Sequence, residues 1–142
     1  MRMREYEQGS ASMELAVLTP VVLLVLALVI AAGRVVTAQA TLDTATAAAA
    51  RAATVARTAP AAESAAHRAT SRSLEQHGLN CTQQQTTVDT GAFATTPGQT
   101  ASVTVTASCT VPLADLALPG MPGTVPLSSE FTSPLDPYRE RT

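Results

Sequence analysis

The residues of this chain able to ligate, titrate or react covalently are few: His67, His77, Cys81 and Cys109 in the middle and later parts, and Glu14 just ahead of a long apolar run. The two histidines and two cysteines would make a metal set only if the cysteines stood in close C-x-x-C spacing, and they do not. An even pair downstream of an apolar export-type segment is instead the usual source of a disulfide, and Cys81–Cys109 is the expected bond. The histidines are expected on a solvated helix face. No serine has a His and Asp context suited to nucleophilic catalysis, no glycine-rich loop suits phosphate, and no carboxylates are paired for acid–base work. The sequence therefore points away from an enzyme, with no catalytic residue, no metal site and no cofactor implied.

Glu14 is more informative because of the apolar run that begins beside it. From Leu15 to Gly33 there are 19 consecutive residues without Asp, Glu, Lys or Arg, and twelve of them are Val, Leu or Ile. A helix of this length covers about 28 Å, close to the ~30 Å hydrocarbon thickness of a bilayer. Each large aliphatic favours insertion by about 0.3 to 0.6 kcal/mol, which outweighs Thr19 and Pro20 near one end. Pro20 is expected in the first two turns of the span, where proline is tolerated best. A buried core helix is the competing reading, but nothing else in the chain is apolar enough to cover a helix that is hydrophobic all round. A carboxylate at the bilayer centre costs roughly 2.5 to 3.5 kcal/mol, so Glu14 must sit at the interface or find a cationic partner.

The residues before the run read EQGSASMEL, so a cut after Gly9 would make Ser10 the first residue and Glu14 the fifth. This order resembles the type IV pilin-like processing signal, in which a short polar leader ends in Gly and an apolar helix carries Glu at its fifth position. A new α-amino group at Ser10 would supply the cation that Glu14 needs. The longer string GSASMELAVLTPVVLLVLALVIAAGR, followed by an Ala/Arg-rich helix, resembles the TadE-like family in its actinobacterial form, the minor pseudopilins of tight-adherence (Flp) pilus systems. The resemblance is specific over residues 8 to 34. It implies processing by a membrane prepilin peptidase at Gly9, with Gly9, Ser10 and Glu14 as processing positions. It also implies a role in assembling or initiating a surface filament beside other pilin-like or Tad proteins, with self-association through the N-terminal helix.

A signal-peptidase reading competes, because Ala38-Gln39-Ala40 comes after the run and has the small-x-small pattern. Cleavage after Ala40 would release a soluble factor or binding module beginning at Thr41. Against it stand the length of the run, Arg34 between run and site, and an N-terminal region in which Arg2 and Arg4 are offset by Glu5 and Glu7. Charge chooses the orientation only weakly, since Arg34, Arg51 and Arg57 lie beyond the span. The leader and the cysteine pair place the N-terminus in the cytoplasm and the remainder outside, in a single-pass protein of the cell membrane.

A formal net charge of −2 leaves no electrostatic footprint for nucleic acid. All nine basic residues are Arg, and Ala, Thr and Pro abound, a composition like that of a GC-rich genome. The span runs on without Gly or Pro to Ala59, and Ala45, Ala49 and Ala53, like Ala48, Ala52 and Ala56, recur every fourth residue, a smooth face for a close helix partner or a by-product of Ala-rich composition. A kink is expected near Pro60, then a second helical segment over Ala61 to His77 ended by Gly78 as C-cap. Beyond it the composition turns to Thr, Val, Gln and Ser. Strands are expected over Gln83–Thr90, Thr100–Val111 and Val125–Thr132, the second with Val103, Val105, Ala107, Cys109 and Val111 alternating against polar residues. The expected fold is α+β: one long transmembrane and stalk helix followed by a small antiparallel sheet with one disulfide. Its parts are a cytoplasmic leader (1–9), a transmembrane helix (10–34), an Ala-rich extracytoplasmic stalk (35–78), a β domain (79–133) and a frayed tail (134–142).

Overall fold

A computed structural model describes residues 8–96, 98–117 and 119–138. Leader residues 1–7 and tail residues 139–142 lie outside the described residues. The elements in chain order are α1 (Gln8–Val55), α2 (Ala59–Gln76), β1 (Gln83–Asp89), a 3₁₀ turn at Gly91–Ala94, β2 (Ala101–Pro112), the four-residue α3 (Leu113–Leu116) and β3 (Thr124–Leu135). A long apolar helix followed by a small three-stranded antiparallel sheet with a Cys81–Cys109 bond is the architecture expected from the sequence.

α1 is one uninterrupted helix of 48 residues. It begins before the apolar run, so Pro20 lies well inside it rather than in its first two turns. There the proline ring removes the N–H that the Ala16 carbonyl would otherwise accept. The helix ends at Val55, where continuing it would drive the Pro60 ring against the carbonyl four residues earlier. Ala56 N–H closes a tighter bond to Ala53 O at 3.1 Å, and Thr58 takes up an extended conformation and caps α2, its hydroxyl accepting from Ala61 N at 3.4 Å. Pro60 then sits in the first turn of α2, where a missing N–H has no intrahelical partner to lose.

The interruption is therefore a reversal rather than a kink. α2 runs back along α1, so that its start (Ala62, Ala66) shares a core with Ala49, Ala50 and Ala53, while its end (Leu74) shares one with Ala38, Leu42 and Ala45. Methyl-sized side chains on both helices let the backbones approach closely, and the Ala45/Ala49/Ala53 face is covered from within the same chain. Thr46 and Thr70 are buried in the same region and satisfy their hydroxyls by donating to Leu42 O (2.8 Å) and Ala66 O (3.0 Å), one turn back. α2 ends at a Schellman motif: Gly78, at φ +67°, donates to Glu75 O, Leu79 N donates to Leu74 O, and Leu74 and Leu79 lie in the same core.

The sheet has the order β1-β2-β3, with Val105 of β2 paired to Val88 and Phe131 and Cys109 paired to Gln84 and Leu127. β2 alternates strictly, its Val103, Val105, Ala107, Cys109 and Val111 buried against the helices and its threonines turned outward. β3 extends beyond the expected segment at both ends, to Thr124 and Leu135, and contains Pro126 and Pro134, which an edge strand accommodates because its outer N–H groups need no ladder partner. Gln39 of α1 donates to Ser128 O (2.9 Å), and Gln84 of β1 donates to Ser71 Oγ of α2 (3.1 Å), so both helices are tied to the sheet. The connection from α3 to β3 closes at Gly123, whose φ is +115° and whose added Cβ would lie 2.8 Å from Leu113 Cδ1.

Candidate functional site

The packed body begins at Val35, and the α1 residues before it that carry the apolar run lie outside both core clusters. Every large aliphatic from Leu15 to Ile30 is exposed, around the whole circumference of the helix. Twelve Val, Leu and Ile side chains, each worth about 1.5 to 3 kcal/mol when fully buried and here roughly half to two-thirds uncovered, amount to on the order of 10 to 20 kcal/mol of unmet burial. That matches or exceeds the whole stability of an ordinary domain, about 5 to 15 kcal/mol. The described residues do not cover this surface, so its surroundings must. One described helix is long and apolar enough to cross a membrane, and its most apolar window is wholly unburied. This is a single-pass geometry.

Gly9 and Ser10 lie in the first turn of α1, and Glu14 is one turn further on, exposed, with Met13, Val17 and Leu18 around it. Ser10 and Glu14 are four residues apart, hence neighbours on the helix. Within the span, Thr19 donates to Leu15 O at 2.6 Å, so its hydroxyl proton is satisfied by the helix and demands no water. Arg34 is the first charged residue after the run, and Thr37 donates back to Gly33 O at 2.9 Å.

Far from this segment, Cys81 and Cys109 are bonded, with Cα atoms 5.3 Å apart. Cys109 is 1% exposed on the covered face of β2, and Cys81 lies between the end of α2 and the start of β1. The bond therefore fastens helix to sheet. His67 and His77 are both exposed on α2 and at its C-cap, and His77 Nδ1 stands 2.8 Å from Ser73 O. Among the described residues no three His, Cys, Asp or Glu side chains cluster as a metal site would require. What the arrangement offers is an uncovered apolar rod, acidic at one end and basic at the other, held out from a disulfide-fastened body.

The one feature that sequence reasoning missed at this end is that α1 starts before Gly9, which no cap residue announces. No curated protein and no solved structure matches the chain. Residues 9–51, which take in the apolar rod and most of the α1 segment packed in the body, match the protein-family model described as TadE-like protein, so this N-terminal segment is similar to that of TadE-like proteins.

Proposed function

We propose that the chain is a non-catalytic, pilin-like component in the assembly or initiation of a Tad-type surface pilus. In this reading α1 crosses the cell membrane with its N-terminus in the cytoplasm, and the helical hairpin and sheet lie outside. The observation that carries it is the uncovered apolar half of α1, continuous with Glu14 and lying within the segment that matches the TadE-like family.

Processing after Gly9 by a membrane prepilin peptidase is part of the proposal. The new α-amine at Ser10 would sit at the positive end of the α1 dipole, an unfavourable place for a cation, and Glu14 one turn on offsets it. The same carboxylate can instead meet the amine of a neighbouring subunit, fixing the register in which helices stack. Either way, a charge that would cost roughly 2.5 to 3.5 kcal/mol in the bilayer gains a partner. The disulfide suits an extracytoplasmic body, where thiols are oxidised.

The competing cut after Ala40 would fall inside α1, between Ala38 and Leu42, both in the same core cluster. It would also discard Gln39, which donates to Ser128 O. Two variants in the native host test the proposal. Gly9→Val should leave the leader attached and stop assembly, while Glu14→Gln should allow cleavage but impair incorporation with other pilin-like proteins, read by in-cell crosslinking. Normal processing and crosslinking of both variants would refute the proposal.

A further inference from the structure

The junction between the apolar rod and the body contains a cleft of about 420 Å³. Its α1 wall is made by Arg34, Thr37 and Thr41 on successive turns, and its opposite wall includes His77, Asn80 and Asp115. Arg34 directly follows the apolar run, and Arg34 to Thr41 rises about 10 Å along the helix. If the rod crosses a bilayer, the cleft stands at the height of the headgroup layer, which adds several Å to each side of the ~30 Å hydrocarbon core.

The polar groups of the cleft are unequally divided between donors and acceptors. Among the described residues that line it, Arg34 is the only fixed cation and Asp115 the only fixed anion. The hydroxyls of Thr37 and Thr41 already donate to Gly33 O and Thr37 O, so toward a ligand they can only accept. His77 Nδ1, at 2.8 Å from Ser73 O, must carry a proton to make that contact, which leaves Nε2 of the neutral ring as an acceptor. The C-terminus of α2, the negative end of its dipole, also borders the cleft at His77 and Gly78. Neither the Arg34 nor the Asp115 side chain has a hydrogen bond or ion pair among the described residues.

A ligand matching this set has one phosphate for Arg34 and one ammonium with N–H donors for Asp115, the Asn80 carbonyl and His77 Nε2. We infer that the cleft binds the phosphoethanolamine headgroup of a membrane phospholipid, in the leaflet on the body's side. The inference rests on the membrane-crossing reading above. A choline headgroup presents the same phosphate but no N–H, so it loses the acceptor side of the cleft. A purely anionic headgroup would meet Asp115 and the negative end of α2 unfavourably.

The full-length protein, reconstituted in vesicles of equal phosphatidylethanolamine and phosphatidylcholine, tests this by native mass spectrometry of the retained lipid, with flotation of the same vesicles as a control. The expected result is retention of phosphatidylethanolamine over phosphatidylcholine by about tenfold, the worth of one charge-assisted hydrogen bond. Asp115→Asn should bring the ratio near one, and Arg34→Gln should remove retained lipid of both kinds. Both positions are exposed, so neither change disturbs the core. Equal retention by the wild-type protein, a ratio unchanged in Asp115→Asn, or preference for added phosphatidylglycerol would overturn the site while the protein still floats. Displacement of the retained lipid by millimolar soluble phosphoethanolamine would overturn a lipid as the ligand. Failure to float would overturn the membrane reading itself.

Discussion

Reduction of the Cys81–Cys109 bond should destabilise the body by an amount that its place in the chain sets. The cysteines are 28 residues apart, and the chain-entropy expression for a loop of that size gives about 12 cal/mol/K, or about 3.6 kcal/mol at 25 °C. A small body is stable by only about 5 to 15 kcal/mol, so the bond supplies between a quarter and most of it. Its apolar content explains the dependence: among the described residues half of the buried apolar side chains are Ala, and the largest fully buried side chain is Leu42. With a urea dependence of about 1.5 kcal/mol/M, reduction should lower the unfolding midpoint by roughly 2.4 M. The measurement is urea unfolding of the full-length protein in detergent micelles, oxidised against reduced. Circular dichroism follows loss of α2, and hydrogen exchange follows β2, while the apolar half of α1 stays in the micelle. Reduction retains the sulfur atoms, so Cys109 still fills its place in the core and the entropic effect is isolated. A midpoint shift below about 0.5 M would refute the reasoning and mean that the hairpin and sheet hold together without the bond.

Other perturbations probe separate parts of the molecule. Thr86 is 4% exposed on the covered face of β1, and its hydroxyl has no partner among the described residues. Thr86→Val keeps the shape and removes that burden, so it should stabilise by about 1 kcal/mol and raise the melting temperature by about 4 to 8 °C; a decrease would show that the hydroxyl is satisfied. Ala49, fully buried where α2 crosses α1, has no room to grow, and Ala49→Leu should destabilise by about 1 to 3 kcal/mol in the same urea assay. Were that face free for another subunit instead, the substitution would leave the isolated protein unaffected. Gly123→Ala forces a side chain onto positive φ and into Leu113, and should cost about 1 to 3 kcal/mol, seen as faster exchange at the start of β3.

Much of this fold is legible in the residue order because the signals are local. The uncharged run, the strict alternation of β2, the cysteine pair and Gly78 each express a period, a compartment or a backbone conformation that neighbouring residues reveal. The return of α2 along α1 is not legible, since Pro60 shows where a helix must stop and not where the next one goes. The alanines at positions 45, 49 and 53 are ambiguous for a related reason: their composition is equally that of an Ala-rich chain, and only the placement of Ala62, Ala66 and Leu74 shows what they serve. Thr86 also escapes, because in QQQTTVD every residue but Val88 is polar and the covered face is identified only by the pairing of Thr86 with Ala107. At the N-terminal segment, the order of Gly9, Ser10 and Glu14 carries the reading, and the structure adds the uncovered apolar surface of α1.

The most direct measurement is the intact mass of the native protein extracted from membranes that have been washed at high pH. The expected product resists the wash, begins at Ser10 and retains the whole apolar run with its disulfide. A product beginning at Thr41 and recovered in the soluble fraction would contradict a membrane-held, pilin-like chain.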